Sequence, residues 1–254
     1  MKKLLVEGCI ITNEKISDRI YHMIVQAPEI AACAQPGQFL HVKKIGSANF
    51  LRRPLGVANV DKKNNTISIA YRVIGKGTAE FAGMKEREKL SILGPIGNGF
   101  VLKEGRPLLI GGGMGMAPLI YLAAKLRDKD PVVLIGGKNK QEVFWEKYIK
   151  EFTDKIYITT DDGSAGFKGF TVQLLPKILQ DNNIDNIYTC GPDIMMRSVA
   201  KIADEYKKDC QVSLERRMAC GIGVCLGCTF TGKVTGKRRK VCTEGPVFPA
   251  EEVF

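Results

Sequence analysis

Four cysteines near the carboxyl end constrain the folding of this chain more than any other feature. They are Cys220, Cys225, Cys228 and Cys242, and their spacing is C-x4-C-x2-C-x13-C. Glycines separate the first three cysteines, so the segment can bend tightly and turn backbone N–H groups toward a common centre. About forty Gly- and Cys-rich residues with little periodicity rarely fold unaided. A metal centre is therefore expected to hold residues 213–254 together.

The spacing of these thiols favours a two-iron cluster. C-x4-C-x2-C with a distant fourth cysteine is the ligand pattern of plant-type [2Fe–2S] proteins. Structural zinc sites usually combine two C-x2-C pairs, or one pair with histidines, whereas this segment has one pair and no histidine. Zinc and unligated thiols are the alternatives. The chain does not begin like a secretory signal, so we expect a reducing, cytoplasmic location in which metal binding outweighs disulfide formation.

Composition and charge narrow the class of protein. The chain is 44% hydrophobic and 26% charged, as in soluble globular proteins. Residues 107–124 are uncharged, but their glycines and Pro118 favour a strand, a turn and a helix over a membrane span. The net charge is +11, and the basic residues form only one compact run in the sequence, residues 237–240. That run either compensates a negatively charged cluster or forms a solvated hairpin tip.

Hydrophobic patterning divides the chain into three predicted domains. Residues 1–102 contain short β-branched segments between turn signals, which predict an antiparallel β-barrel or sandwich. The predicted strands are Ile10–Thr12, Tyr21–Gln26, Phe39–Val42, Thr66–Tyr71 and Lys89–Leu93. Residues 103–212 alternate strand and helix signals, which predict a parallel sheet covered on both faces. Residues 213–254 form the small cluster domain.

A glycine-rich segment in the second domain has the context of a phosphate-binding turn. Gly111–Pro118 follows a predicted strand and opens a predicted helix, although such turns also occur for packing alone. Asp161 follows another strand at the same sheet edge, where its carboxylate can contact a ribose or form an Asx turn. Cys190 ends a strand at that edge and is a candidate site residue. Three other cysteines are predicted to be small core hydrophobes: Cys9, Cys33 and Cys210.

Two segments of the first domain suit a pyrophosphate. Arg52 and Arg53 precede a proline, and Gly77-Thr78 opens a predicted helical turn. Guanidinium groups and helix N–H groups both bind phosphate oxygens well. Taken singly, each segment is also consistent with exposed cations on a strand.

Together these segments resemble the ferredoxin–NADP reductase superfamily, and within it the electron-transfer subunits of two-flavin bacterial dihydroorotate dehydrogenases. The resemblance covers nearly the whole chain, in the order RRPLG, IAYRVIGKGT, LGPIGNGF, LLIGGGMGMAPL, TTDDGS, YTCGPDIMM, ERRMACGIGVCLGC and KVCTEGPVF. It implies an FAD-binding barrel, an NAD-binding α/β domain and a C-terminal [2Fe–2S] domain.

The resemblance also assigns roles to individual residues. Those expected along the flavin and its phosphates are Arg53, Pro54, Leu55, Gly56, Ala70, Tyr71, Arg72, Gly77 and Thr78. Those expected beside NAD are Gly111, Gly112, Gly113, Gly115, Cys190, Gly191 and Pro192, the last three close to the nicotinamide. The family usually has Ser or Thr where Gly56 stands, so the tuning of hydride transfer is expected to differ here.

The implied partner is an FMN-containing catalytic subunit that oxidises dihydroorotate to orotate in pyrimidine biosynthesis, in a heterotetramer with two copies of each chain. Electrons would pass from FMN through the cluster and FAD to NAD, and no side chain of this chain would act as an acid or base. NAD is preferred to NADP because no basic cluster suited to a 2′-phosphate is evident after Ile135, although Lys138 and Lys140 are candidates.

Two alternatives have different partners. One is the small subunit of an NADH-dependent ferredoxin–NADP oxidoreductase or of a sulfide dehydrogenase-type complex. In the former the first cluster ligand is typically Asp, whereas this chain has Cys220. The other is a zinc-stabilised nucleic-acid-binding protein, which would use the basic run 237–240. That run lacks the interleaved aromatic residues typical of nucleic-acid binding.

Overall fold

Residues 3–254 are described by a computed structural model, in which the first part of the chain forms a closed six-stranded antiparallel barrel. Its strands are β1 (Leu4–Ser17), β2 (Ile20–Gln26), β3 (Phe39–Lys44), β4 (Arg53–Asp61), β5 (Thr66–Arg72) and β6 (Lys89–Ile96). Around the barrel they follow the order β1-β2-β5-β4-β3-β6. Two short helices, α1 (Pro28–Cys33) and α2 (Lys76–Ala82), connect them. Alternate residues such as Ile67 and Ile69 fill the interior.

The second part of the chain is a parallel sheet with helices on both faces. Its strands are β7 (Pro107–Gly112), β8 (Val132–Gly137), β9 (Ile156–Thr160), β10 (Phe167–Lys168), β11 (Asn186–Cys190) and β12 (Asp209–Ser213), in the order β10-β9-β8-β7-β11-β12. The helices are α3 (Met116–Lys125), α4 (Glu146–Ile149), α5 (Thr171–Asp181) and α6 (Asp193–Glu205). Leu109 packs into a core with α3, whereas Leu108 and Ile110 pack against α5 and α6. Both faces of β7 are therefore buried.

The cysteine-rich part begins as a loop and ends against the parallel sheet. Its regular elements are β13 (Thr229–Thr231), β14 (Arg238–Lys240), α7 (Val241–Glu244), β15 (Val247–Pro249) and α8 (Ala250–Val253). β13 and β14 form a hairpin, and β15 pairs antiparallel with β12. The predicted fold class, a barrel followed by an α/β sheet and a small C-terminal cluster segment, is confirmed.

Within residues 3–254, no helix combines the length and the apolar character needed to cross a membrane. The uncharged segment 107–124 forms β7, a turn and most of α3, as predicted. The basic run 237–240 is only partly solvated. Arg239 lies 3.0 Å from a carboxylate oxygen of Glu244 and stacks over Phe248, so it packs within the cluster segment.

The prediction that three other cysteines are core hydrophobes is wrong for Cys33, which is exposed. Cys9 is partly buried, and Cys210 is partly buried and packs against two of the hydrophobic cores. Helix α1 is short and buries one face through Ile30 and Ala31, which leaves Cys33 on the outer face. Its thiol donates a hydrogen bond back to the Glu29 carbonyl at 3.1 Å.

Candidate functional site

The first two predicted metal ligands lie in a tight exposed loop. The backbone N–H groups of Ile222 and Cys225 donate to Cys220 Sγ at 3.5 and 3.4 Å. Positive φ angles at Gly221 (67°) and Gly223 (86°) produce this bend. Desolvation opposes ionisation of Cys220, but these N–H groups prevail and lower its pKa to about 6. The loop therefore stabilises a thiolate before any metal binds.

The other two predicted ligands form a second, buried pair. Cys228 and Cys242 are 3% and 1% exposed. The Cys242 backbone N–H donates to Cys228 Sγ at 3.4 Å, and the two thiols are neighbours. Desolvation, followed by the proximity of Cys228, raises the pKa of Cys242 to about 11. Cys220 is also near enough to contribute to that shift, so all four thiols converge on one region.

The arrangement of the four thiols fits a two-metal cluster. Cys220 adjoins Cys225, and Cys228 adjoins Cys242. Two pairs of thiolates are what a [2Fe–2S] cluster requires, with one pair for each iron. Among residues 3–254, no three His, Cys, Asp or Glu side chains lie close enough together to hold a metal ion, so the four thiols stand as two pairs and not as one compact set.

In the barrel, the two adjacent arginines have different surroundings. The Arg53 guanidinium lies against Gly77, where a Cβ atom would come within 2.2 Å of its Nε. Arg52 instead donates to the Ser91 carbonyl at 2.7 Å and to the Ser91 hydroxyl at 2.9 Å. Arg53 and the first turn of α2 can thus bind an anion, whereas Arg52 joins strands of the barrel.

Other predicted barrel residues differ in what they expose. Pro54, Leu55 and Gly56 on β4 are half-buried, and a Cβ atom at Gly56 would lie 3.6 Å from Pro118 at the start of α3. Tyr71 is 2% exposed, and its hydroxyl donates to Asn13 at 2.9 Å within the barrel core. Only the Tyr71 backbone is thus available to a flavin.

Two further predicted residues of the barrel have local partners. Ala70 is 7% exposed and packs in the core beneath α3. The Thr78 hydroxyl accepts the N–H groups of Ile74 and Gly75 at 3.0 and 3.2 Å, so its side chain shapes the turn before α2. The backbone of that turn is what remains to contact phosphate oxygens.

A cleft of about 650 Å³ opens at the carboxyl ends of the parallel strands. The predicted residues that line it are Arg72, Gly112, Gly113, Gly115, Asp161, Gly191 and Pro192. The strand ends of an open α/β sheet are where nucleotides bind in such folds. The structure therefore brings together most of the residues expected beside NAD.

The glycines of the Gly111–Pro118 turn are required for different structural reasons. A Cβ atom at Gly111 would lie 2.5 Å from Met116 Sδ, and one at Gly115 would lie 2.2 Å from the Cys190 carbonyl oxygen. Both are required for packing. Gly113 has a positive φ of 54° and no atom within 4 Å of its Cβ position. It is the position at which a ligand can approach the backbone closely.

Cys190 lies beneath the cleft. Its thiol is 1% exposed and hydrogen-bonds to Ser213, while Gly191 and Pro192 reach the cleft surface. Burial raises the pKa of this thiol far above its usual range, so it remains protonated. The side chain can shape the cleft floor but is not a nucleophile.

Glu215 also lines the cleft, and the sequence did not predict it. Desolvation by the cleft walls, and then repulsion by Asp193, raise the pKa of its carboxyl. The side chain is nevertheless solvent-accessible because the cleft is open. Its position just after β12, at the same sheet edge as Asp161, was the available signal.

An ion pair joins the barrel to the wall of this cleft. Arg72 on β5 lies 3.3 Å from Glu142, which also accepts the Lys138 backbone N–H at 3.1 Å.

A larger cleft, about 880 Å³, lies between residues 98–103, α6 and α8. Its lining mixes cations such as Arg197 with acids such as Asp204 and contains no glycine turn opening a helix.

Comparison with known proteins identifies relatives across the whole length of the chain. Residues 215–254 match the family model described as the iron–sulfur cluster binding domain of dihydroorotate dehydrogenase B. The electron transfer subunit of dihydroorotate dehydrogenase B (NAD(+)) from Fusobacterium nucleatum is 35% identical, over 98% of each chain. The corresponding subunit from Bacillus velezensis is 38% identical, over 95% of this chain and 96% of the relative.

Solved structures share the fold. A chain of an NADH-dependent reduced ferredoxin–NADP oxidoreductase, studied for flavin-based electron bifurcation, is 30% identical with a TM-score of 0.87, over 97% of this chain and 89% of that one. A ferredoxin NADP⁺ reductase from Neisseria gonorrhoeae with bound FAD and NADP has a TM-score of 0.67 at 17% identity, over 79% and 91%. The latter likeness concerns the fold alone.

Proposed function

The chain belongs to the family of electron-transfer subunits of dihydroorotate dehydrogenase B (NAD(+)), and we propose that it links a dihydroorotate-oxidising subunit to NAD⁺. Such a subunit is one part of an oxidoreductase and acts through its cofactors, FAD and a [2Fe–2S] cluster. When bound, FAD would supply hydride exchange with the nicotinamide and single-electron exchange with the cluster, whereas the polypeptide would orient these groups and exclude competing reactions.

The observation that carries this proposal is the presence of two separate sites in one compact chain. One is formed by two pairs of thiols, Cys220 with Cys225 and Cys228 with Cys242, which can hold two irons. The other is the 650 Å³ cleft at the strand ends, which has the size of a small-molecule site. The barrel lies against both, because β4 touches α3 and β3 touches the cluster loop.

Particular residues suit each part of the flavin. Arg53, Gly77 and the backbone before Thr78 would hold the pyrophosphate. The exposed edges of Pro54, Leu55 and Gly56 would lie along the ring system, with Ala70, the Tyr71 backbone and Arg72 on the neighbouring strand. The Arg53 cradle is charge-assisted, which makes it the strongest single contact in this set.

The cleft favours NAD over NADP. Glu142 and Asp161 place two carboxyl groups near its wall, and Glu142 already occupies the Arg72 guanidinium. A 2′-phosphate would meet these negative charges, with Lys138 as a candidate cation beside them, whereas ribose hydroxyls can donate to carboxylates. In this assignment Asp161 contacts a ribose, Gly113 approaches the NAD pyrophosphate, and Cys190 with Gly191 and Pro192 supports the nicotinamide.

The partner contact is assigned to the rim of the cluster loop. Ile222, Val224 and Leu226 are 45%, 75% and 46% exposed, although they are large and apolar. They surround the exposed ligand Cys225. An FMN-containing catalytic subunit docked there would lie close to the cluster, as electron transfer requires. The complex is expected to be a heterotetramer with two copies of each chain, in the cytoplasm, serving pyrimidine biosynthesis.

A second candidate function follows from the likeness to the NADH-dependent ferredoxin–NADP oxidoreductase chain. In that case the partner would be a different flavoprotein, and dihydroorotate would not supply electrons. The identity of the catalytic subunit separates the two functions.

The deciding experiment is anaerobic coexpression with an FMN-containing dihydroorotate-oxidising subunit. We expect copurification, one FAD and about two iron and two acid-labile sulfide per copy of this chain. Dihydroorotate should bleach both flavins and produce NADH when NAD⁺ is added. A colourless zinc protein would refute the redox assignment, and bleaching by NADH but not by dihydroorotate would favour the second candidate.

A further inference from the structure

His41 is a buried side chain that the assigned function does not use. It lies on β3, is 0% exposed, and is one of only two histidines in the chain. Neither ring nitrogen has a hydrogen-bond partner among residues 3–254. Buried polar atoms without partners are rare in folded proteins, so such an atom indicates an acceptor outside the polypeptide or a functional constraint.

The His41 ring faces the cluster loop. A Cβ atom at Gly221 would lie 2.7 Å from His41 Nδ1 and 2.8 Å from Cε1, so the imidazole occupies the room that this glycine leaves. Gly221 directly follows the first cluster ligand, Cys220, and has a φ of 67°. The ring is therefore directed at the bend that holds two of the four thiols.

The backbone of His41 is fixed from the flavin side. In the β3–β4 ladder it pairs with Pro54, within the segment assigned to the flavin. Arg52 donates to the His41 carbonyl at 3.3 Å and to Ser91 on β6 at 2.7 Å, so three strands hold this point. His41 thus joins the flavin strand to the cluster loop.

A second side chain shows the same pattern independently. Thr243 follows the ligand Cys242, and its Oγ1 is also buried without a partner among the described residues. It lies beside the other positive-φ glycine of the loop, since a Cβ atom at Gly223 would lie 2.9 Å from the Thr243 methyl group and 3.3 Å from this oxygen. Two unpartnered donors thus flank one loop.

We propose that His41 is a positioning residue that donates a ring N–H to a sulfur of the cluster and raises its reduction potential. Cluster sulfurs accept hydrogen bonds, and such bonds stabilise the more negative reduced state. This inference rests on the proposed function, because it requires the cluster. It adds a direct link from the flavin barrel, which neither the thiol spacing nor the glycine pattern contains.

The test combines a nitrogen label with matched variants of the coexpressed complex. Protein containing ¹⁵N-histidine is reduced, and pulsed electron paramagnetic resonance measures the coupling of histidine nitrogen to the cluster spin. The variants are His41→Leu, which removes the donor, and His41→Asn, which retains an N–H. His22→Leu is the control, because His22 is half-buried beside Tyr148 at a ring separation of 5.5 Å.

We expect histidine coupling in the wild type and in His22→Leu, and its loss in His41→Leu. The reduction equilibrium of the cluster should shift about tenfold toward the oxidised form in His41→Leu, which is about 59 mV for one electron. His41→Asn should recover part of that shift, which a purely space-filling role would not produce.

Iron and sulfide analysis separates failure of this inference from failure of the function. Wild-type protein without iron and sulfide refutes both. Wild-type protein with a full cluster but no histidine coupling refutes the role of His41 alone, as does an unchanged potential in cluster-loaded His41→Leu. If His41→Leu does not fold, the label experiment on the wild type still decides.

Discussion

The Arg53 guanidinium lies directly against Gly77, so a Cβ atom at Gly77 would be 2.2 Å from both Nε and one terminal nitrogen. One residue opens strand β4, and the other lies in the first turn of α2. The absence of a side chain at Gly77 makes the room that the arginine fills. Two segments that are distant in the sequence therefore meet at one guanidinium group, which is the proposed anion cradle.

Arg53→Ala is expected to weaken FAD binding about tenfold to a hundredfold. A charge-assisted hydrogen bond to a phosphate is worth about 1.5–3 kcal/mol, and this variant removes it. Gly77→Ala should produce a similar loss, because the new methyl group displaces the guanidinium. Fluorescence titration of the flavin-depleted protein with FAD measures both effects.

The double variant tests whether the two residues act together. Arg53→Ala/Gly77→Ala should bind FAD hardly worse than Arg53→Ala, since the methyl group then displaces nothing. Arg87→Ala, at a largely exposed arginine, should leave affinity unchanged. Fully additive losses in the double variant would contradict the cradle.

The limits of sequence reasoning are clear in the barrel. Five of its six strands contain segments that β-branched runs predict, whereas the sequence of β4 carries only a binding-motif signal. Local propensity does not predict a strand here because Pro54 and Gly56 are both poor strand formers. They are tolerated where β4 meets β3 and α3, a tertiary relationship that local propensity cannot express.

The candidate site also contains some residues that the sequence predicts and others that it does not. The sequence singles out the four thiols because three of them lie within nine residues and their spacing restricts the metal, and their role as ligands stays a prediction. It does not single out His41 and Glu215, because each acquires its surroundings from distant segments. The sequence predicts the glycine turn but not the role of each glycine. Gly111 and Gly115 are needed for packing, whereas Gly113 faces open space.

Gly113→Ala is expected to raise KM for NADH without loss of bound FAD. Its Cβ would project into the cleft, at the point where the proposed assignment puts the NAD pyrophosphate. Gly46→Ala is a matched control, because Gly46 also has a positive φ, 75°, and open space around its Cβ position. Each substitution should cost about 1–2 kcal/mol of unfolding free energy through backbone strain. Equal KM values in the two variants would remove Gly113 from the NAD site.

Cys225→Ser is expected to deplete iron and acid-labile sulfide and to stop electron transfer to the catalytic subunit. NADH–dye activity through FAD should persist, because the cleft and the barrel do not depend on this thiol. Cys33→Ser, at another exposed cysteine, should keep a full cluster. Iron and sulfide assays on anaerobically purified variants give the answer, and a full complement in Cys225→Ser would show that the ligand is wrongly assigned.

The carboxyl of Glu215 predicts a pH dependence of NADH binding. Desolvation and Asp193 raise its pKa above the usual 4.5, so it stays neutral to higher pH than an ordinary glutamate. As pH rises through that raised pKa, a negative charge forms beside an anionic dinucleotide. KM for NADH should then rise roughly fivefold, since a like-charge interaction in a wet cleft is worth about 1 kcal/mol. Glu215→Gln should hold the low-pH value throughout, and an identical profile in both proteins would count against this role.

The rim of the cluster loop predicts where the catalytic subunit binds. Val224 is 75% exposed beside Cys225, and Val234 is 71% exposed in the β13–β14 hairpin, so the two valines are matched in residue type and accessibility. Val224→Asp should weaken the complex at least about tenfold, because a buried unpaired charge at an interface costs several kcal/mol. Val234→Asp should not. Both variants should keep their cluster, which iron analysis verifies before affinity is measured by titration of one subunit with the other. If Val234→Asp alone dissociated the complex, the docking face would be the hairpin, and the cluster would lie farther from the partner's flavin than the proposed electron path allows.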